Sequence, residues 1–179
     1  MEPAHNKQTF YSLHHKEFLF LFLFSLYFIT GQALFHVSRP YIKPLLTNIL
    51  TAKVASYIIN IITPHEQSSA REAVIGSGGH AIDISEGCEG IEGIILISAA
   101  ILAFYAGFKQ KIAGIVAGTI FIYICNLCRI IMLYYIHKHE PELFDIFHIF
   151  VGQTFIIFAG ILFFVIWINK FAGSDGKTL

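Results

Sequence analysis

Three side chains of this sequence could together do acyl-transfer chemistry: Cys88, Arg129 and His148. A thiolate attacks a carbonyl, an imidazole moves the protons, and a fixed cation steadies the oxyanion that develops. A free thiol with a pKa near 8.5 is largely protonated at neutral pH, so it needs a base or a cation beside it. Each residue also has a plainer reading. Cys88 could be a small packing residue at a helix entrance, Arg129 could snorkel to the headgroups, and His148 could be a structural histidine at a membrane boundary.

Position separates these readings. A helix starting near Ser85 or Glu86 would place Cys88 in its first turn, where the helix dipole favours a thiolate, although Glu86, Glu89 and Glu92 oppose ionisation unless they face away. Arg129 lies inside an apolar run, about two turns before its end near Ile136. An arginine at such depth costs several kcal/mol unless it is paired or hydrated, and it commonly marks function. Asn126, three residues earlier, shares its helical face and is positioned to hold it. His148 opens the last apolar run, with Gly152 one turn deeper, and Gly87 and Gly90 leave room for another chain to approach the sulfur.

The elements that carry these residues are apolar. The chain has 179 residues, 55% hydrophobic and 13% charged, with 18 Phe and a mean hydropathy of +0.65. The charged share is about half that of a soluble domain, which points to one membrane domain. Twelve Lys and Arg balance twelve Asp and Glu, with no dense basic run, so nucleic acid is excluded as a partner and membrane lipid is the expected surroundings. Three cysteines make an odd count, against a disulfide framework.

The expected fold is an all-α integral membrane bundle of four to five transmembrane helices, with one interfacial or extra helix and a short outer β-hairpin-like segment. Residues 1–17 form a cytoplasmic N-terminus and 18–38 a first, uncleaved helix, since no small-x-small site follows the apolar run. Residues 42–63 place Leu45, Leu46, Ile49, Leu50, Val54, Tyr57, Ile58, Ile61 and Ile62 on one face and Thr47, Asn48, Thr51, Ser56 and Asn60 on the other. That pattern suits an interfacial helix, the preferred reading, or a fifth span. Residues 64–90 form an outer loop in which GSGG separates AVI from AIDI, a hairpin signal. Three further spans over 91–108, 112–136 and 147–168 make residues 91–168 the core, and 169–179 a cytoplasmic tail. Lys7, Lys16, Lys109, Lys111, Lys170 and Lys177 then share the cytoplasmic side, while Arg39, Lys43, Arg71 and Lys138 lie opposite. Cys88, Arg129 and His148 converge in the outer layer.

At these residues the chain resembles the exosortase/archaeosortase membrane proteases, in particular their short bacterial members. The matching pieces are Cys88-Glu89-Gly90 at the start of a span, N-x-x-R-I from Asn126 to Ile130 late in the next, and His148 with Gly152 opening the last. Their order and spacing cover about residues 80–168. Glu89 departs from the small polar residue common between Cys and Gly in the family. The resemblance implies a cysteine protease and transpeptidase of the inner membrane with its site on the outer, periplasmic face. It would cleave the C-terminal sorting signal of exported proteins, a short motif with a transmembrane helix and basic tail. Cys88 would be the nucleophile forming a thioester, His148 the proton carrier and Arg129 the positioning or oxyanion-stabilising cation. Asn126, Gly90 and Gly152 would support them. The acyl group would pass to water, a lipid or a polysaccharide, and no cofactor or metal is required.

Other constellations point elsewhere. Cys125 and Cys128 form C-x-x-C inside an apolar helix, and HKHEPELFDIFH together with His36 offers metal donors. A membrane redox, haem- or metal-binding protein is therefore the alternative, and a non-catalytic sorting scaffold a third reading. The C-x-x-C lacks a second pair and the His-rich stretch lacks H-E-x-x-H spacing, so helix packing and a solvated connection are preferred. Gly114 and Gly118 make a G-x-x-x-G suited to close helix approach.

Overall fold

A computed structural model describes residues 14–84 and 88–172, and the side chains up to 170. Ser85, Glu86, Gly87, Lys7 and Lys177 therefore lie outside the described residues. The chain is mostly helical with one small sheet. Helix α1 (His15–Lys43) runs without a break through a π-helical stretch, Pro44–Lys53, into α2 (Val54–Ile62). The three strands β1 (Ser69–Arg71), β2 (Val74–Ser77) and β3 (His80–Asp83) follow. After them come α3 (Ile91–Ala103), α4 (Phe108–His139), the single turn α5 (Phe144–Ile146), a second π-helical turn (Phe147–Val151) and α6 (Gly152–Trp167).

Among the described residues three helical stretches, His15–Ile62, Phe108–His139 and Pro141–Lys170, are long and apolar enough to cross a membrane. The sequence led us to expect four or five. The difference lies in two places. The apolar run 91–108 is helical only over the 13 residues Ile91–Ala103, about 20 Å at the helical rise and short of a bilayer core of about 30 Å. It ends because Phe104 turns extended, and the Lys111 ammonium donates to the Leu102 carbonyl at 2.6 Å, satisfying one of the bonds the helix end leaves open. The second place is 42–63, which continues the first helix instead of starting a separate one. Pro44 has no N–H to donate, and beyond it the Thr51 hydroxyl donates to the Leu46 carbonyl five residues back at 2.8 Å, so the helix widens rather than stops.

The faces of this segment are reversed with respect to a soluble helix. Thr47, Thr51, Ala52, Ala55, Ser56 and Ile59 are buried, while Leu45, Ile49, Leu50, Tyr57, Ile61 and Ile62 are exposed. Apolar side chains outward and small or polar ones inward suit a helix whose outer side meets lipid. Ser56 donates to the Ser68 carbonyl at 3.0 Å and Asn60 Nδ2 to the same oxygen at 2.8 Å, tying the segment to the sheet.

The sheet is antiparallel in the order β1-β2-β3. The expected hairpin is present, with Ile75 opposite Ile82 and Ser77 opposite His80. Gly78 and Gly79 both have positive φ, the backbone that a two-residue hairpin turn needs. Strand β1 was not expected, because its turn onto β2 is made by Glu72, at φ 53, and Ala73, which carry no glycine or asparagine signal.

Two apolar clusters fill the interior. The first joins Ile75, Ile82 and Ile84 of the sheet region to Ala55 and Ile59 of α2, Leu127, Ile130 and Leu133 of α4, and Cys88. The second joins Ile97 and Ile101 of α3 to Ile122 of α4 and Ile156, Ala159 and Trp167 of α6. The short α3 is the centre against which α1, α4 and α6 pack. Gly114 and Gly118 of α4 lie against Trp167 and Phe163 of α6, where a β-carbon would collide or crowd.

Candidate active site

Cys88 does not sit in the first turn of a helix. Helix α3 begins only at Ile91, because Gly90 adopts φ +74, a left-handed backbone that turns the chain into the helix. A β-carbon at Gly90 would also lie 2.7 Å from Asn126 Cγ, so both conformation and space demand glycine there. Asn126, buried on α4, donates from Nδ2 to the Cys88 carbonyl at 2.8 Å. The turn that carries Cys88 is thus pinned by α4 through its backbone, and Asn126 serves Cys88 rather than the Arg129 expected from their shared face.

His148 sits in the π-helical turn between α5 and α6, an irregularity often found at functional positions. Its Nε2 lies 3.0 Å from Cys88 Sγ. With the ring proton on Nδ1, Nε2 accepts the S–H. Phe144, four residues earlier, stacks on the imidazole with ring centroids 5.5 Å apart and planes 16° from parallel, which holds the ring's orientation.

Arg129 is 4% exposed and does not snorkel outward. Its Nη2 donates to the His148 carbonyl at 3.1 Å. A β-carbon on Gly152 would run into Arg129 Nε and also lie 2.9 Å from the Phe147 carbonyl, so that glycine leaves the space the guanidinium fills between α4 and the start of α6. The three expected residues, from three separate segments, therefore meet in one place, and all three expected supporting residues shape it.

Electrostatics decide the resting state of the sulfur. Cys88 is 2% exposed, and burial is the main cause holding its thiol above the ordinary range. The nearby Arg129 charge pulls it down, while Glu89 and Asp83 push it up. Burial thus favours the neutral thiol, whose sulfur lies 3.0 Å from the imidazole nitrogen.

One partner escaped the sequence reading. Glu89, next to Cys88, accepts a hydrogen bond from Arg39 Nη2 of α1 at 3.3 Å. The pair is separated by 50 residues, and no spacing rule connects them. Around it lie two cavities. One of about 630 Å³ is lined by Gln32, His36, Arg39, Glu89 and Glu92. The other, of about 280 Å³, reaches from Gln32, Glu89 and Glu92 to Arg129, Gln153 and Ile156.

The remaining candidates do not join the site. Cys125 is half-buried, Cys128 exposed, and both are free thiols. His137 packs edge-on against Phe144 and His139 stacks on Tyr135. Among the described residues no group of three or more His, Cys, Asp or Glu side chains is arranged to hold a metal ion.

No curated protein and no solved structure matches the chain. A family model does: that of the transmembrane exosortases, over residues 10–167. The match spans α1 to the end of α6 and contains the Cys88, Arg129 and His148 cluster, and the chain accordingly belongs to the transmembrane exosortase family.

Proposed function

We propose that the protein is a membrane-embedded cysteine protease and transpeptidase that removes the C-terminal sorting signal of exported proteins. The observation that carries this reading is the 3.0 Å approach of Cys88 Sγ to His148 Nε2, with the Arg129 guanidinium bound to the His148 backbone. His148 takes the thiol proton as the sulfur attacks the scissile carbonyl, and Arg129 stabilises the oxyanion or positions the peptide. The tetrahedral adduct collapses to a thioester as His148 returns the proton to the leaving amine. An acceptor hydroxyl, amine or water then attacks the thioester carbonyl and gives its proton to His148, and the thiol is regenerated by that proton as the product leaves.

In this reading the bundle has α3 as a short fourth membrane-level helix beside the three long ones, with residues 44–62 at the outer interface. The site faces the exterior side of the cytoplasmic membrane, where exported proteins with a tail anchor arrive. The acceptor is water, a lipid or an envelope polysaccharide.

The test is co-expression with a tailed exported protein. Cys88→Ala and Cys88→Ser should abolish the mobility shift of the processed product, and wild-type protein quenched during turnover should carry a substrate-derived adduct on Cys88 by mass spectrometry. Normal processing by Cys88→Ala excludes the proposal.

A further inference from the structure

We infer that Arg39 is a positioning residue of this site: its guanidinium holds the Glu89 carboxylate on the α1 side of the nucleophile turn, so that the negative charge beside Cys88 is neutralised and the sulfur can ionise. The inference rests on Cys88 being the reactive thiol of the proposed function. It adds a part for the first helix, which contributes no residue to the Cys88, Arg129 and His148 cluster.

The geometry carries it. The Glu89 side chain is 8% exposed and that of Arg39 34%, and they approach to 3.3 Å. A carboxylate so far out of water is costly without a paired charge, and it follows Cys88 directly in the chain. Glu89 and Glu92 line both cavities and Arg39 the larger one, so the ion pair stands where the two share lining residues. Glu89 thus lines the same smaller cavity as Arg129.

Among the described residues, the charged and titratable groups acting on the sulfur are Arg129 from α4, His148 from the π-helical turn, Asp83 from β3 and Glu89 from the turn that carries Cys88. Burial, Asp83 and Glu89 all oppose ionisation, and Arg129 favours it. Removing Arg39 leaves the Glu89 charge uncompensated, which raises the pH at which the thiolate forms. Removing the Glu89 charge lowers that pH whether or not Arg39 is present.

The experiment is alkylation of Cys88 by iodoacetamide across about pH 6 to 10, spanning the ordinary thiol range. It uses the full-length protein in detergent with Cys125 and Cys128 replaced by Ser. Arg39→Gln should move the half-maximal rate up by about one pH unit, a shift of the size one nearby charge produces. Arg39→Lys should stay near wild type, Glu89→Gln should move down, and the double variant should follow Glu89→Gln. An unmoved profile in Arg39→Gln, or a double variant that follows Arg39→Gln, overturns the inference. If Arg39→Gln does not accumulate as folded protein, Arg39→Met, which keeps the aliphatic stem and removes the charge, decides: an upward shift supports the inference and an unmoved profile overturns it. The processing assay is separate, since normal cleavage by Cys88→Ala would remove the protease reading while leaving the alkylation profiles intact.

Discussion

Asn126 shows how a site residue can be recognised in a sequence and still be given the wrong partner. Helical spacing puts it on the face of Arg129, but the guanidinium is drawn into the gap over Gly152 toward the His148 carbonyl. The amide is left to reach across to the Cys88 carbonyl. Asn126→Leu keeps the approximate volume and leaves that buried carbonyl unsatisfied. The expected results are a loss of about 1 to 3 kcal/mol of stability, the range for an unpaired buried polar group, and a fall in processing rate larger than any change in apparent substrate affinity. Thermal unfolding in detergent and single-turnover cleavage measure the two. An unchanged cleavage rate would show that the turn holds its shape without α4.

Among the elements, the sheet region depends on a polar tie that its strand pattern does not reveal. Glu66, buried between α2 and β1, accepts hydrogen bonds from Tyr134 at 3.0 Å and from Lys138, both on α4. The Lys138 bond is the main cause that holds the Glu66 carboxyl below the usual carboxylate range, against the opposing effect of burial. A carboxylate whose pKa is depressed by folding contributes stability that is fully present above its unfolded pKa, near 4.3, and is lost as pH falls through the lower folded value. Melting temperature followed from neutral pH into acid should therefore show a steeper acid limb in wild type than in Glu66→Gln, with the variant less stable at neutral pH. Parallel limbs would mean that the tie carries no linked proton. The hairpin from Val74 to Asp83 was legible because Gly78 and Gly79 announce its turn. Strand β1 was not, because Glu72 adopts its left-handed backbone under tertiary constraint rather than by preference.

At the scale of the molecule, the bundle has two chemically different ends. Phe20 near the start of α1 stacks on Phe164 at 6.1 Å and meets Phe104 beyond α3 at 6.4 Å. Lys16, Lys109, Lys111 and Lys170 thus gather at one end, and the sheet, Cys88 and His148 occupy the other. Arg39, Lys43, Lys53, Arg71 and Lys138 lie toward the second end, so the basic residues are nearly balanced between the two, and it is the proposed function that puts the first end on the cytoplasmic side. Single cysteines introduced at exposed His80 and Lys109 in a variant with all native cysteines replaced should react with a membrane-impermeant maleimide from opposite sides. In intact cells His80→Cys should label and Lys109→Cys should label only after permeabilisation. Labelling of both from one side would refute the two-ended arrangement.

Composition and the apolar runs by themselves determined that this is a membrane protein, because so few charges leave no way to stay in water. They also determined which thiol, cation and imidazole were worth watching, since a buried arginine and a cysteine between glycines are costly or permissive wherever they lie. Tertiary structure alone decided that 91–108 yields only a short central helix and that 44–62 continues α1 with its polar face inward. Periodicity reports which residues share a face, but not which neighbour that face meets. The same limit hid the Arg39 to Glu89 pair and the Asn126 to Cys88 bond, whose partners are brought together only when α1 and α4 close around α3.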